Sequence, residues 1–221
     1  MDLPYPKEIL QKLSTTHISD ALDRLGMIGV LDDIKLVHNN AGNIFGRAFT
    51  ILLTDQYVSN PVHLGVEAIT TAGEGQIIVI ANDKRMKMAC WGGILSRAAQ
   101  MNKINGVVID GACRDVDEIK DIGFPAFTRG VAVRASRNRV YQQDMQVPIF
   151  IGEVNISPDD LIFADANGVV VIPQTNEREI LKNAIKLMDI EDEMREQIES
   201  GRSIKQVDKD HKYNELLRMS E

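Results

Sequence analysis

Apolar positions fall into helical spacing at both ends of the chain and into short continuous runs between them. Residues 5–25 predict two short helices. Thr15-Thr16-His17-Ile18-Ser19-Asp20 offers hydroxyl and carboxylate caps before the apolar positions Ala21, Leu22 and Leu25, and Gly26 is a fitting stop. The run from Phe45 to Leu53, entered through Gly46, predicts a strand. A helix is expected after Pro61, carrying Val62, Leu64, Val66, Ala68 and Ile69. Gly73-Glu74-Gly75 then makes a tight turn into a buried strand over Ile77–Ile80.

The centre of the chain predicts a β-α-β unit. Asn82–Cys90 leads to Trp91-Gly92-Gly93, followed by a helix with Ile94, Leu95, Ala98, Ala99 and Met101 on its inner side and then by strand Val107-Val108-Ile109. Two continuously apolar strands around one helix imply parallel neighbours with a right-handed crossover. Asp110-Gly111-Ala112-Cys113-Arg114-Asp115 falls at the carboxyl end of the second strand, where open α/β sheets usually bind ligands.

The next segment is richer in strands. Pro125-Ala126-Phe127, Val131–Arg134, Pro148–Ile151, Asp160–Phe163 and Val169–Ile172 are short runs separated by turn residues, with Asp165-Ala166-Asn167-Gly168 a hairpin turn by composition. From about Asn176 to Ser200 the spacing of Ile180, Leu181, Ile185, Met188, Ile190, Met194 and Ile198 is helical, with Gly201 as its stop. A Lys- and Asp-rich tail follows, either partly ordered or an arm onto a neighbouring subunit.

Composition narrows the function classes. The chain has 221 residues, 44% hydrophobic and 26% charged, ordinary for one domain with a real core. Its net charge of −7, from 25 basic and 32 acidic residues, argues against nucleic-acid binding. Met1–Lys7 does not read as a signal peptide, and no apolar run approaches a membrane span. Cys90 and Cys113 are too few for a disulfide framework and too far apart for a metal knuckle, so a reduced, cytoplasmic protein is expected.

Two local patterns can carry chemistry. The Arg114 guanidinium can bind a carboxylate bidentately, and the neighbouring Asp115 carboxylate can hold a divalent cation. The plain alternative is a surface pair capping a helix that begins near Val116. Trp91-Gly92-Gly93-Ile94-Leu95 opens a helix with free backbone amides and no side chain at Gly92 or Gly93, which suits an anion; the alternative is a simple glycine turn. Other features point to structure. Gly73-Glu74-Gly75 lacks a dinucleotide-site spacing, and His17, His38, His63 and His211 show no paired metal spacing. Cys113 has no identifiable base, and Glu191-Asp192-Glu193 is the usual solvated face of a helix.

The chain resembles the RraA-like family, which includes 4-hydroxy-4-methyl-2-oxoglutarate aldolases. The motifs are Ile18-Ser19-Asp20-Ala21-Leu22, Gly46-Arg47-Ala48, Gly93 spaced twenty residues from Arg114-Asp115, Gly123-Phe124-Pro125, and Asp165-Ala166-Asn167-Gly168-Val169-Val170-Val171-Ile172-Pro173. They run from about Thr15 to Gly201. The resemblance implies an α/β fold: a single swivelling β/β/α three-layer domain over 1–221, with N-terminal helices in 1–26, the core in 45–173 and a C-terminal helix and tail in 176–221. It also implies a homotrimer or a dimer of trimers.

By the same resemblance Arg114 binds a pyruvoyl carboxylate with help from the Gly93, Ile94 and Leu95 amides. Asp115 anchors Mg²⁺ (or Mn²⁺), and Glu191 matches a glutamate offered by a neighbouring subunit. The implied activity is a metal-dependent carbon–carbon lyase releasing pyruvate from a small 2-oxo acid, as aldolase, oxaloacetate decarboxylase or both. The chain departs from the aldolases at Gly93, where they carry Asp, and at Asp159, where the family often has Gly. Retro-aldol cleavage needs a base and decarboxylation does not, so Gly93 favours decarboxylation. The glycine form resembles the regulator-type branch, whose named member binds and inhibits ribonuclease E. An auxiliary enzyme of sugar-acid catabolism is a third possibility.

Overall fold

The computed structural model describes residues 3–38 and 42–212. Its first half comprises α1 (Lys7–Leu10), α2 (Thr15–Arg24), β1 (Lys35–Leu36), β2 (Ile44–Thr54), α3 (Val66–Thr71), β3 (Ile77–Trp91), α4 (Gly93–Met101), β4 (Gly106–Cys113) and α5 (Val116–Asp121). There follow β5 (Ala126–Val131), β6 (Tyr141–Met145), β7 (Ile149–Ile151), β8 (Val154–Ile156), β9 (Leu161–Asp165), β10 (Gly168–Ile172), α6 (Glu177–Glu199) and α7 (Ile204–His211).

β2 links two ladders. Its first residues, Ile44–Arg47, pair antiparallel with β9, and Ala48–Leu52 pair parallel with β3. The strand order is β1-β5-β4-β3-β2-β9-β10, with β6 added antiparallel on β2 and β7–β8 a separate hairpin. β3, β4 and β5 run parallel, as the continuously apolar runs predict.

Alternation along the strands separates three cores. Phe49, Ile51, Ile78, Ile80, Val107 and Ile109 point into one with Trp91, Ala99, Ile119 and Phe124 of the α4–α5 side. Ala48, Ile77, Val79 and Val108 point the other way, onto Ile149, Ile151, Ile156, Ile162 and Val171. The opposite faces of β9 and β10, through Leu161, Phe163, Val170 and Ile172, pack on α2 and α6. This is the expected β/β/α architecture with a long C-terminal helix outside it. Ile180, Leu181, Leu187 and Met188 of α6 are buried there, each contributing roughly 1.5–3 kcal/mol.

Local differences from the sequence expectations have physical causes. Ser14, rather than the hydroxyls after it, caps α2: its Oγ accepts from His17 N, and His17 Nδ1 accepts from Ser14 N. Thr15 instead donates its N–H and Oγ1–H to Asp165, whose carboxylate also accepts from Asn167 N. The hairpin turn thus doubles as an anchor for α2. Val131–Arg134 is not a separate strand; β5 ends at Val131, and the chain leaves to bridge Ala135 with Ala89. Ile94 and Met101 are each 80% exposed rather than facing inward, because Ser96 and Ala99 occupy the buried face of α4. Asp159 has φ +67, a left-handed backbone that suits glycine and that Asp tolerates.

After Gly201 the chain forms α7; the remainder of the tail, like Met1 and Asp2, lies outside the described residues. Among the described residues no helix is long and apolar enough to cross a membrane.

Candidate active site

A cleft of about 450 Å³ opens at the carboxyl ends of β3 and β4. Its floor is Ala89–Gly92 with Ile94 and Leu95, and Arg114 and Asp115 stand at one side. The facing wall comes from Pro61–Leu64 and from Ser136, Arg137 and Tyr141. The parallel β3–β4 pairing brings the two halves together: Trp91 pairs with Cys113, and Arg114 N donates to Trp91 O at 3.0 Å.

The floor is held by a buried polar relay. Trp91 is 2% exposed, and its Nε1–H donates to Ser96 Oγ at 2.8 Å. Ser96 Oγ donates in turn to Gly92 O at 3.0 Å, and Ser96 N donates to the same carbonyl. The indole also stacks on Phe124, with ring centroids 6.5 Å apart. Side-chain hydrogen bonds and packing therefore fix the glycine pair at the start of α4.

Asp115 occupies the N-cap position of α5 with φ 57 and ψ 42, yet its side chain makes no capping bond to that helix. It turns to α4 instead, where Oδ2 accepts from Gly93 N at 3.3 Å. The left-handed backbone is one that Asp tolerates, as at Asp159. The Asp115 side chain does not cap α5, and its carboxylate meets the first amide of α4 instead. Arg114 Nε lies 3.5 Å from Asp115 Oδ2, and both side chains are 44% exposed. Among the described residues the guanidinium has no other partner. A Cβ at Gly92 would meet Asp115 Oδ2 at 2.6 Å and Arg114 Cγ at 3.3 Å, so a side chain there would displace the pair.

Arg114, Asp115, Gly93, Ile94 and Leu95 are thus brought to one place, and Glu191 is not. Glu191 lies on α6, where its Oε2 is 3.1 Å from His17 Nε2. Because His17 Nδ1 accepts from Ser14 N, Nε2 carries the proton and donates to Glu191. Glu191 could serve this cleft only from a second subunit. Cys113 is not a nucleophile: burial pushes its thiol up to about 11, and that of Cys90 up to about 12. Sequence reasoning missed Ser96, Arg137 and Tyr141, which carry no motif of their own. Trp91 was legible only as the start of a glycine loop.

Fold and site define the class: an α/β chain with an arginine–aspartate cleft at the carboxyl ends of its parallel strands. Comparison with known proteins narrows it. The RraA-like family profile, described as Aldolase/RraA, matches residues 15–171. Protein DlpA of Legionella pneumophila is 34% identical over 226 residues, covering 96% of this chain and 37% of DlpA, so the chain spans about a third of that relative. A protein of Halalkalibacterium halodurans, provisionally named 4-hydroxy-4-methyl-2-oxoglutarate aldolase, is 36% identical over 184 residues and 83% of each chain. The crystal structure of an uncharacterized protein from Pseudomonas syringae superposes with a TM-score of 0.82 at 32% identity, over 93% of this chain and 99% of that one. The chain belongs to the RraA-like family.

Proposed function

We propose that the cleft is the active site of a divalent-metal-dependent lyase that cleaves a carbon–carbon bond of a small 2-oxo acid to give pyruvate. The observation that carries this reading is the Arg114 guanidinium, half exposed and with no partner but Asp115 among the described residues, beside the amide-lined start of α4. A planar fork of donors in such a place suits a carboxylate. The Ile94 and Leu95 amides, in the first turn of α4, have no intrahelical acceptor and suit the same anion.

The donor set fits a hydrated hard cation. Asp115 offers one half-exposed carboxylate beside the space left by Gly92, and among the described residues no group of three or more His, Cys, Asp or Glu could hold a metal ion. Magnesium, or manganese in its place, usually keeps several waters and takes one or two carboxylates. When bound, it would supply Lewis-acid stabilisation of the charge that develops on the ketone oxygen. Arg114 would fix the adjacent carboxylate, and Trp91 and Leu95 would keep the floor dry on one side. Arg137 at the rim would favour a substrate with a second anionic group. In this reading the protein is a cytoplasmic trimer or pair of trimers, with Glu191 reaching a neighbour's cleft.

Pyruvate release from a panel of 2-oxo acids, with and without Mg²⁺, tests the assignment. Turnover should require the cation and be lost in Asp115→Asn. Activity that survives both EDTA and that substitution would refute it. No turnover of any 2-oxo acid, together with tight binding to a ribonuclease, would favour a regulatory protein instead.

A further inference from the structure

We propose that His63 is the proton-transferring base of this cleft, acting on the end of the substrate that lies away from Arg114. The inference rests on the lyase reading above. Retro-aldol cleavage needs a group that accepts a proton at neutral pH, and few of the side chains lining the cleft can do so. Arg114 and Arg137 are cations, and the alcohol of Ser136 and the phenol of Tyr141 keep their protons. Burial pushes the Cys90 thiol up to about 12. Asp115 is committed to the cation. That leaves His63, and imidazole is the side chain that gains and loses a proton in the neutral range.

The ring is also set for the task. Nδ1 lies 3.0 Å from Leu64 O, which can only accept, so Nδ1 carries the proton in the neutral imidazole. Nε2 is then the basic nitrogen, and among the described residues it has no hydrogen-bond partner. The segment that carries the ring is held against the cleft floor. Val66 N donates to His63 O at 3.2 Å. Gly65, with φ +77, passes so close to the floor that a Cβ on it would meet Trp91 Cζ3 at 3.1 Å and Leu95 Cδ1 at 3.2 Å. His63 thus stands on the wall that faces Arg114 and Asp115. A 2-oxo acid whose carboxylate is fixed at Arg114 extends its C4 toward that wall.

In retro-aldol cleavage of a 4-hydroxy-2-oxo acid, His63 Nε2 takes the C4 hydroxyl proton as the C4 carbonyl forms. The C3–C4 bond breaks, and its electron pair passes into the pyruvate enolate. The imidazolium then gives its proton to C3, which completes pyruvate and regenerates the neutral ring with no co-reactant. Oxaloacetate decarboxylation has no hydroxyl proton to remove, so it depends far less on this group. Aldol cleavage therefore does not require a carboxylate at residue 93, and Gly93 gives no ground for decarboxylation to dominate.

The full-length protein with Mg²⁺ is assayed on 4-hydroxy-4-methyl-2-oxoglutarate and on oxaloacetate, comparing wild type with His63→Asn. The asparagine keeps an N–H near the place of Nδ1 and removes the base. Aldol kcat should fall by about a hundredfold or more while its KM and oxaloacetate decarboxylation change only a few-fold. Equal loss on both substrates, no loss on either, or a wild type that decarboxylates without cleaving overturns the role of His63 and leaves the lyase reading intact. Wild-type protein that turns over neither substrate overturns the lyase reading and this role with it. A readout independent of activity checks the placement. Diethyl pyrocarbonate should modify His63, as read by mass spectrometry, and 2-oxoglutarate with Mg²⁺, at a concentration that inhibits turnover, should block the reaction. Equal modification with and without 2-oxoglutarate would put the ring out of reach of the substrate and overturn the role.

Discussion

Replacing Ser96 by Ala should loosen the floor of the cleft through a single orphaned donor. Ser96 is fully buried, and its Oγ is the acceptor for Trp91 Nε1–H at 2.8 Å. The alanine leaves that N–H with no partner in a site 2% exposed, while Gly92 O keeps its bond from the residue 96 amide. A buried donor left unsatisfied costs about 1–3 kcal/mol. For a chain of this size each kcal/mol lowers Tm by roughly 2–4 °C. The decisive assay is a double-mutant cycle by urea unfolding at fixed protein concentration. Trp91→Phe removes the donor itself, so adding Ser96→Ala in that background should cost less than in the native one by about 1 kcal/mol or more. Costs equal in both backgrounds, to within about 0.5 kcal/mol, would show that the relay does not hold the loop.

Gly92→Ala should reduce metal-dependent activity more than stability. The added Cβ meets only the tip of Asp115 and the Arg114 side chain, at 2.6 and 3.3 Å, and both can turn aside from the cleft; a large Tm loss with activity retained would contradict this. Asp20→Asn should raise Tm at neutral pH. Burial chiefly, with help from Glu191 and Asp23, pushes the Asp20 carboxyl above its ordinary value. Stability from that protonated form is present at low pH and lost as pH rises through the raised value, so the variant's advantage, on the order of 0.5 kcal/mol, should vanish as the pH falls below it. Calorimetry across pH 3–8, a range of about five units around ordinary carboxylate titration, reads the trend; an advantage that grows toward acid refutes it.

The parallel strands, the long C-terminal helix and the meeting of Gly93 with Arg114-Asp115 were legible in the sequence. Each rests on a long apolar period or on two loops leaving adjacent strand ends. β6 was not, because Tyr141-Gln142-Gln143-Asp144-Met145 is mostly polar and pairs with β2 alone. β3 was read as ending at Ile80 because Asp83 and Lys84, both with positive φ, interrupt its pairing before it resumes toward Trp91. Val131–Arg134 is an apolar run like a strand, yet β5 pairs only as far as Val131, and Val131 and Val133 are 61% and 96% exposed.

The central claim is that Arg114 and Asp115 hold a 2-oxo acid and a divalent cation together. Oxalate has the charge and planarity of a pyruvate enolate, and its binding by calorimetry tests that claim most directly. Oxalate should bind wild-type protein only with Mg²⁺ or Mn²⁺ present, and binding should be lost in Asp115→Asn and weakened in Arg114→Lys, which keeps the charge but not the bidentate fork. Oxalate that binds equally well without the cation, or to Asp115→Asn, would contradict the account.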